Sequence, residues 1–311
     1  MAHRDTIVIG ASAGGVEALQ EVTRQLPPDL PAAVFVVIHL YPRSASALPE
    51  ILSRSGPLSA VHPTNGTAIE HGRIYVAPPD HHLIIEPGHV HLDTGPKEQH
   101  QRPSINVTFR SAANAYGERV IGVLLTGQLD DGVAGLWHIK RHGGIAVVQN
   151  PEEAMFPSMP LSALREIETD YTLRLADMGP VFQRLVTEDG RSAAHASNPG
   201  SGLQPNLTDL TCPDCRGTIW EVPKGRFKEY RCRVGHTYSP KSMLAEHFAA
   251  QEKAIYAAIV ALEEGASLAT RLSEQVEPEM SERLRKEARE REAQAAQMRE
   301  MLKQRMSFSL D

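Results

Sequence analysis

The stretch IVIGASAGGVEAL (residues 7–19) passes from an apolar run through a small-residue turn into a helical pattern. Two chemistries use that arrangement. A dinucleotide loop reads G-x-G-x-x-G, but here Gly10, Ser12 and Gly15 put a hydroxyl where the second glycine belongs. In the other register, residues 10–14 fit G-x-S-x-G, the turn that lifts a serine nucleophile off a strand end. A third reading makes Ser12 a cap for the helix that begins near Gly14.

The surrounding chain narrows the choice. Four β-rich runs, TIVIG, AVFVVIH, RVIGVLLTG and IAVVQ, alternate with amphipathic helical segments, which predicts an α/β fold with a doubly wound, mostly parallel sheet. Val16, Leu19, Val22 and Leu26 recur at helical spacing before Pro27-Pro28; Val133, Leu136, Trp137 and Lys140 do so before Gly143-Gly144. Residues 66–93 read as a β-hairpin insertion made from RIYV, HHLIIE and HVHLD.

In such sheets functional groups gather beyond the carboxyl ends of the strands. Strand one ends in Ser12, strand two in His39, and the strand VIGVLL leads to Gln128-Leu129-Asp130-Asp131-Gly132. A serine hydroxyl needs a base, and an imidazole base needs a carboxylate to fix its tautomer. Each of the three also has a plainer reading: a helix cap for Ser12, a backbone-satisfied strand-end residue for His39, and helix N-caps for Asp130 and Asp131. The dinucleotide reading fares worse. It needs an acid about twenty residues past the glycines, and no Asp or Glu lies between Asp29 and Glu50.

The chain has 311 residues, 41% of them hydrophobic, and a formal net charge of −6. That length suggests roughly two domains, and the charge argues against nucleic acid as a partner. No basic leader with a long apolar core and no membrane-spanning apolar run is present, so no membrane insertion and a cytoplasmic location are expected. The expected organisation is a catalytic domain at 1–187, a Gly/Ser/Pro-rich linker at 188–206, a small zinc module at 207–240 and a helical hairpin at 241–311. Cys212-x2-Cys215, sixteen intervening residues, and Cys232-x3-His236 have the spacing of a structural Cys3His zinc site. In the tail, Leu244, Phe248, Ile255, Ile259, Leu262 and Leu272 form a helical stripe, with a break near Val276-Glu277-Pro278. Such helices suit packing or homo-oligomerisation.

GASAGGVEAL, VVIHL, GRIYVAPPDHHL, QRPSINVTFRSAA and VIGVLLTGQLDDGVAGL, taken in this order and spacing, resemble the chemotaxis protein-glutamate methylesterase (CheB-like) catalytic domain over about residues 6–185. The resemblance implies a Ser12, His39, Asp131 triad without a catalytic cofactor. It also implies hydrolysis of glutamyl γ-methyl esters on methyl-accepting chemoreceptors, with deamidation of receptor glutamines as a second activity. Backbone donors at Ala13 and Gly14 and the Gln128 loop are the expected oxyanion groups, and His82 is expected to line the cleft. The chain departs from the family pattern at Ala13, Pro79, Asn106 and, most visibly, Gln128-Leu129, where G-M-G-x-D-G is usual. Because it begins at the catalytic strand, a stand-alone enzyme controlled by a regulator in trans is expected. The cysteine region resembles zinc-ribbon-like extensions of some stand-alone methylesterases. The competing readings are a catalytically weak signalling scaffold and a carboxylesterase acting on another protein.

Overall fold

The computed structural model describes residues 3–39, 46–187, 205–224 and 227–305, so the expected linker lies, at 188–204, outside them. The chain runs through β1 (Thr6–Ala11), α1 (Gly15–Arg24), β2 (Ala33–Ile38), α2 (Leu48–Ser55), β3 (Ser59–Val61) and β4 (Arg73–Val76). A hairpin follows, β5 (His82–Glu86) and β6 (His89–Asp93). Then come α3 (Ile105–Tyr116), β7 (Val120–Leu124), α4 (Val133–Arg141), β8 (Ile145–Gln149), α5 (Ser158–Glu166), β9 (Tyr171–Leu173) and α6 (Leu175–Thr187).

Seven strands form one parallel sheet in the order β3-β4-β2-β1-β7-β8-β9. Strand alternation sends Ile7 and Ile9 to the face covered by Leu19, Leu52 and Phe182, and Val8 to the face covered by Phe109, Leu136 and Met159. Helices therefore cover both faces, as expected of a doubly wound fold. Side chains such as Phe109 and Phe182, both fully buried, each contribute about 1.5–3 kcal/mol by leaving water. The strand order reverses at β1, with β2 on one side and β7 on the other, which opens a crevice at their carboxyl ends.

The RIYV run differs from expectation. It is β4, paired in parallel with β2 at Val34↔Ile74 and Val36↔Val76, and only β5 and β6 form the hairpin. Buried Ile74, Tyr75 and Val76 make it an apolar interior strand rather than an alternating hairpin arm.

Beyond the linker, β10 (Asn206–Thr211), β11 (Thr218–Lys224), β12 (Phe227–Cys232) and β13 (Thr237–Tyr238) make an antiparallel sheet in that order. Two long helices end the chain, α7 (Pro240–Ser273) and α8 (Pro278–Arg305). The chain divides into two compact units, Met1–Ser242 and Met243–Asp311. Within the second, Ile259 packs with Ala295 and Leu302, and Ala266 and Ala269 pack with Ala288. The helical hairpin is as expected, but its seam is not the whole stripe. Ile255, Ile259 and Leu262 of the stripe join alanines in the seam, while Leu244, Phe248 and Leu272 are exposed. Among the described residues no helix is long and apolar enough to cross a membrane.

Candidate active site

The end of β1 is tied to the end of β7 by the Ser12 N–H, which donates to the Thr126 carbonyl at 3.0 Å. The turn then passes through Gly14 at φ +70°, a left-handed conformation that glycine adopts without strain. Gly14 is the N-cap of α1, and no side chain caps that helix. The Ser12 hydroxyl instead meets His39 Nδ1 at 3.0 Å. His39 follows the last residue of β2 and places Nε2 2.8 Å from Asp131 Oδ2. The cap and backbone-satisfied readings of these side chains therefore do not hold, and three residues far apart in sequence form one hydrogen-bonded line.

Asp131 is 3% exposed and richly solvated by the protein. Its Oδ1 accepts from Ser104 Oγ (3.0 Å) and from the N–H groups of Asn106 (3.1 Å) and Gly132 (2.9 Å). Its Oδ2 accepts from the Ile105 N–H at 2.8 Å as well as from His39. Burial pushes the carboxyl up, but the His39 interaction and the N–H groups at the start of α3 outweigh it and hold Asp131 below its ordinary 3.8. An ionised Asp131 fixes the neutral imidazole with its proton on Nε2, leaving the Nδ1 lone pair toward Ser12.

The helix-capping role considered for Asp130 and Asp131 falls to Asn106, whose Oδ1 accepts from Gly132 N–H (3.1 Å) and Gly135 N–H (2.7 Å). Partly buried Asp130 accepts a hydrogen bond from Ser239 Oγ at 2.9 Å. Burial pushes its carboxyl up to about 6, against the pull of Ser239 and Lys241.

The loop joining β7 to α4 presses on the serine. A Cβ added to Gly127 would stand 2.9 Å from Ser12 Cβ, so only glycine permits this approach. Exposed Gln128 comes next, and Leu129 takes φ +62°, where the family pattern has glycine. A leucine in that left-handed conformation carries about 1–2 kcal/mol of local strain. On the other side, Ala13 is held by its carbonyl, which accepts from Thr126 Oγ1 at 3.1 Å.

His82 is placed behind the Asp131 cradle rather than in the cleft. It is 2% exposed, its Nε2 bonds the Pro96 carbonyl at 3.0 Å, and its Nδ1 accepts from the Ser104 N–H at 3.2 Å. Burial lowers its pKa, consistent with a neutral ring that makes both contacts. Ser104 and Asn106 carry roles beyond those expected from the sequence. A serine directly before an apolar helical run was the available signal.

Two tight turns bring the cysteines together. Cys212 N–H bonds Gly217 O at 2.7 Å, and Cys232 N–H bonds His236 O at 3.0 Å. The ligand atoms of Cys212, Cys215, Cys232 and His236 lie within 4.8 Å of one another. Individual separations are 3.6 Å for the Cys215–Cys232 sulfurs, and 3.7 and 3.5 Å from His236 Nδ1 to the Cys212 and Cys232 sulfurs. A tetrahedral zinc with Zn–S about 2.3 Å and Zn–N about 2.0 Å has edges of about 3.8 and 3.5 Å. The cluster fits that ion.

Comparison with known proteins agrees with this architecture. The CheB methylesterase family matches residues 7–182. A Leptospira interrogans relative is 37% identical over 182 residues, 58% of this chain and 94% of its own length. The protein-glutamate methylesterase/protein-glutamine glutaminase 2 of Methanosarcina mazei is 35% identical over 191 residues, 59% of this chain and 52% of its own. The crystal structure of the Thermotoga maritima CheB methylesterase catalytic domain superposes with a TM-score of 0.57 at 31% identity, covering 60% of this chain and all (100%) of that one. The family and fold class expected from the sequence hold: the chain belongs to the CheB methylesterase family.

Proposed function

We propose that the protein hydrolyses glutamyl γ-methyl esters on methyl-accepting chemoreceptors through Ser12, His39 and Asp131, and deamidates receptor glutamines at the same site. The observation that carries this reading is the unbroken line Ser12 Oγ, His39 Nδ1 (3.0 Å), His39 Nε2, Asp131 Oδ2 (2.8 Å). His39 Nδ1 takes the Ser12 proton as Oγ attacks the ester carbonyl, and buried Asp131 stabilises the imidazolium. The proton passes to the departing methanol, and a water activated by the same nitrogen then releases glutamate. For a glutamine the leaving group is ammonia. The backbone N–H groups of Ala13 and Gly14, at the amino end of α1, and of Gln128 are the proposed oxyanion donors, supported by the close approach of the Gly127 backbone to Ser12. Methanol release from methylated receptor by wild type and Ser12→Ala tests the reading.

Zinc is the proposed ion of the Cys3His cluster, held by Cys212, Cys215, Cys232 and His236. Four protein ligands close its coordination shell, so its chemistry is the cross-linking of two turns and not catalysis. An equimolar zinc content in wild type, lost in Cys215→Ser, is expected. Three unpaired thiols support a reducing cytoplasmic setting. The exposed Leu244, Phe248, Tyr256, Val260 and Leu268 of α7 support a homo-oligomer through the helical tail, which light scattering would detect.

A further inference from the structure

The cysteine-bearing sheet is built onto the segment that positions Asp131. Residues 94–104 lead from β6 to the start of α3, which supplies Ser104 Oγ and the Ile105 and Asn106 N–H groups to Asp131. Within the catalytic domain this strap is held by Arg110 on Glu98 (2.7 and 3.1 Å) and by Arg102 on Asp80 (2.7 Å), and the module holds it from outside. Thr237, next to His236, pairs with it: Gln99 N–H donates to Thr237 O at 2.7 Å and Thr237 N–H to Lys97 O at 3.3 Å. His100 pairs with Asp214 at 3.2 Å, between Cys212 and Cys215 in sequence. Pro96 packs against Gly235, and its carbonyl holds His82, whose other ring nitrogen holds the Ser104 N–H.

A second arm reaches the neighbouring carboxylate, that of Asp130. Ser239, three residues past His236, donates its hydroxyl to Asp130 Oδ1 at 2.9 Å, and its N–H bonds Gln99 Oε1 at 3.0 Å. Lys241 adds a hydrogen bond to Ser158 of α5 at 2.9 Å. Phe227 of β12 stacks edge-on against Trp137 of α4, the helix that follows Asp131, at 5.3 Å between ring centres. The residues from Thr237 to Ser239 thus touch the strap at Lys97 and Gln99, and Asp130 beside Asp131, within one short run.

We infer that metal occupancy of the Cys3His site sets the geometry of Asp131, with Ser239 as the positioning residue that joins the module to the Asp130-Asp131 loop. The inference rests on the esterase and zinc readings above. With metal bound, His236 fixes the Thr237-Tyr238-Ser239 run; without it, both arms lose their anchor and the His39–Asp131 alignment loosens. Metal never meets substrate, yet turnover depends on it.

The full-length protein tests this, zinc-loaded, chelator-stripped, and reconstituted with zinc alone. Hydrogen exchange at the Ile105, Asn106 and Gly132 amides reads the cradle directly, independent of activity, with the amides of α1 as control. Stripping is expected to speed cradle exchange by about tenfold or more and leave α1 unchanged. It should lower kcat on p-nitrophenyl acetate by about tenfold at constant KM, with zinc restoring both. Ser239→Ala should give part of the loss with zinc still bound, and Ser239→Thr should recover it. Because Ser239 Oγ also accepts from the Ser242 N–H at 3.0 Å as a helix cap, a double-mutant cycle with Asp130→Ala separates the roles. Non-additive effects support positioning, and additive ones overturn it. Cradle exchange and kcat unchanged on loss of bound zinc overturn the inference while leaving both parent readings intact. Failure to bind zinc overturns the metal reading and the inference together. Equal activity of Ser12→Ala overturns the esterase reading alone, since the exchange arm still reads the coupling.

Discussion

His39 gives its Nε2, not its Nδ1, to Asp131, at 2.8 Å from Oδ2. The base therefore faces Ser12 with Nδ1, the nitrogen nearer its own backbone, and a short reach from the end of β2 is sufficient. The pairing works only while Asp131 stays ionised and still. Five donors and a position at the amino end of α3 secure both conditions.

Asp131→Asn preserves shape but removes the charge that fixes the tautomer and stabilises the imidazolium. A loss of about 10⁴-fold in kcat is expected, measured by methanol release from methylated receptor.

The two adjacent aspartates should respond to pH in opposite senses. Asp131 sits below its ordinary 3.8, so its contribution to stability is present above that value and lost as pH falls through the lowered folded value. Asp130 is pushed up to about 6, so its contribution is complete below 3.8 and lost as pH rises through 6. Urea unfolding of Asp130→Asn should thus show a relative gain over wild type of about 2–3 kcal/mol between pH 4 and 7.

Asn106→Ala takes the side-chain acceptor from the Gly135 N–H and one of two acceptors from the Gly132 N–H, in a buried site beside Asp131. Chemical denaturation should register a loss of about 2 kcal/mol or more.

Gly127→Ala inserts a methyl 2.9 Å from Ser12 Cβ and 2.5 Å from Met159 Cε. The methionine can yield but the serine turn cannot, so kcat should fall by about tenfold or more while stability drops by about 1–3 kcal/mol.

Much of this site could be read from strand ends. Ser12 and His39 each stand just past a long apolar strand, and Asp131 lies in the loop after another, so the crevice rule points to all three. The rest of the cradle could not be read so easily. Ile105 and Asn106 act through backbone N–H groups, which carry no side-chain signature, and Ser239 reaches Asp130 across 109 positions. The three-residue strands β3 and β9 are too short for any periodicity to show. That RIYV pairs into the main sheet was not legible, because an apolar interior strand and a hairpin arm look alike over four residues. In α7 the helical stripe was visible, but not that only Ile255, Ile259 and Leu262 of it would join alanines in the seam and leave Leu244 and Phe248 outside.

The central claim is that Ser12 is the nucleophile of a methylesterase, and methanol released from methylated receptor, followed for wild type and Ser12→Ala at equal concentration, tests it most directly. The account predicts steady release by wild type and a loss of at least about 10³-fold in the variant. Equal release by both proteins would contradict it.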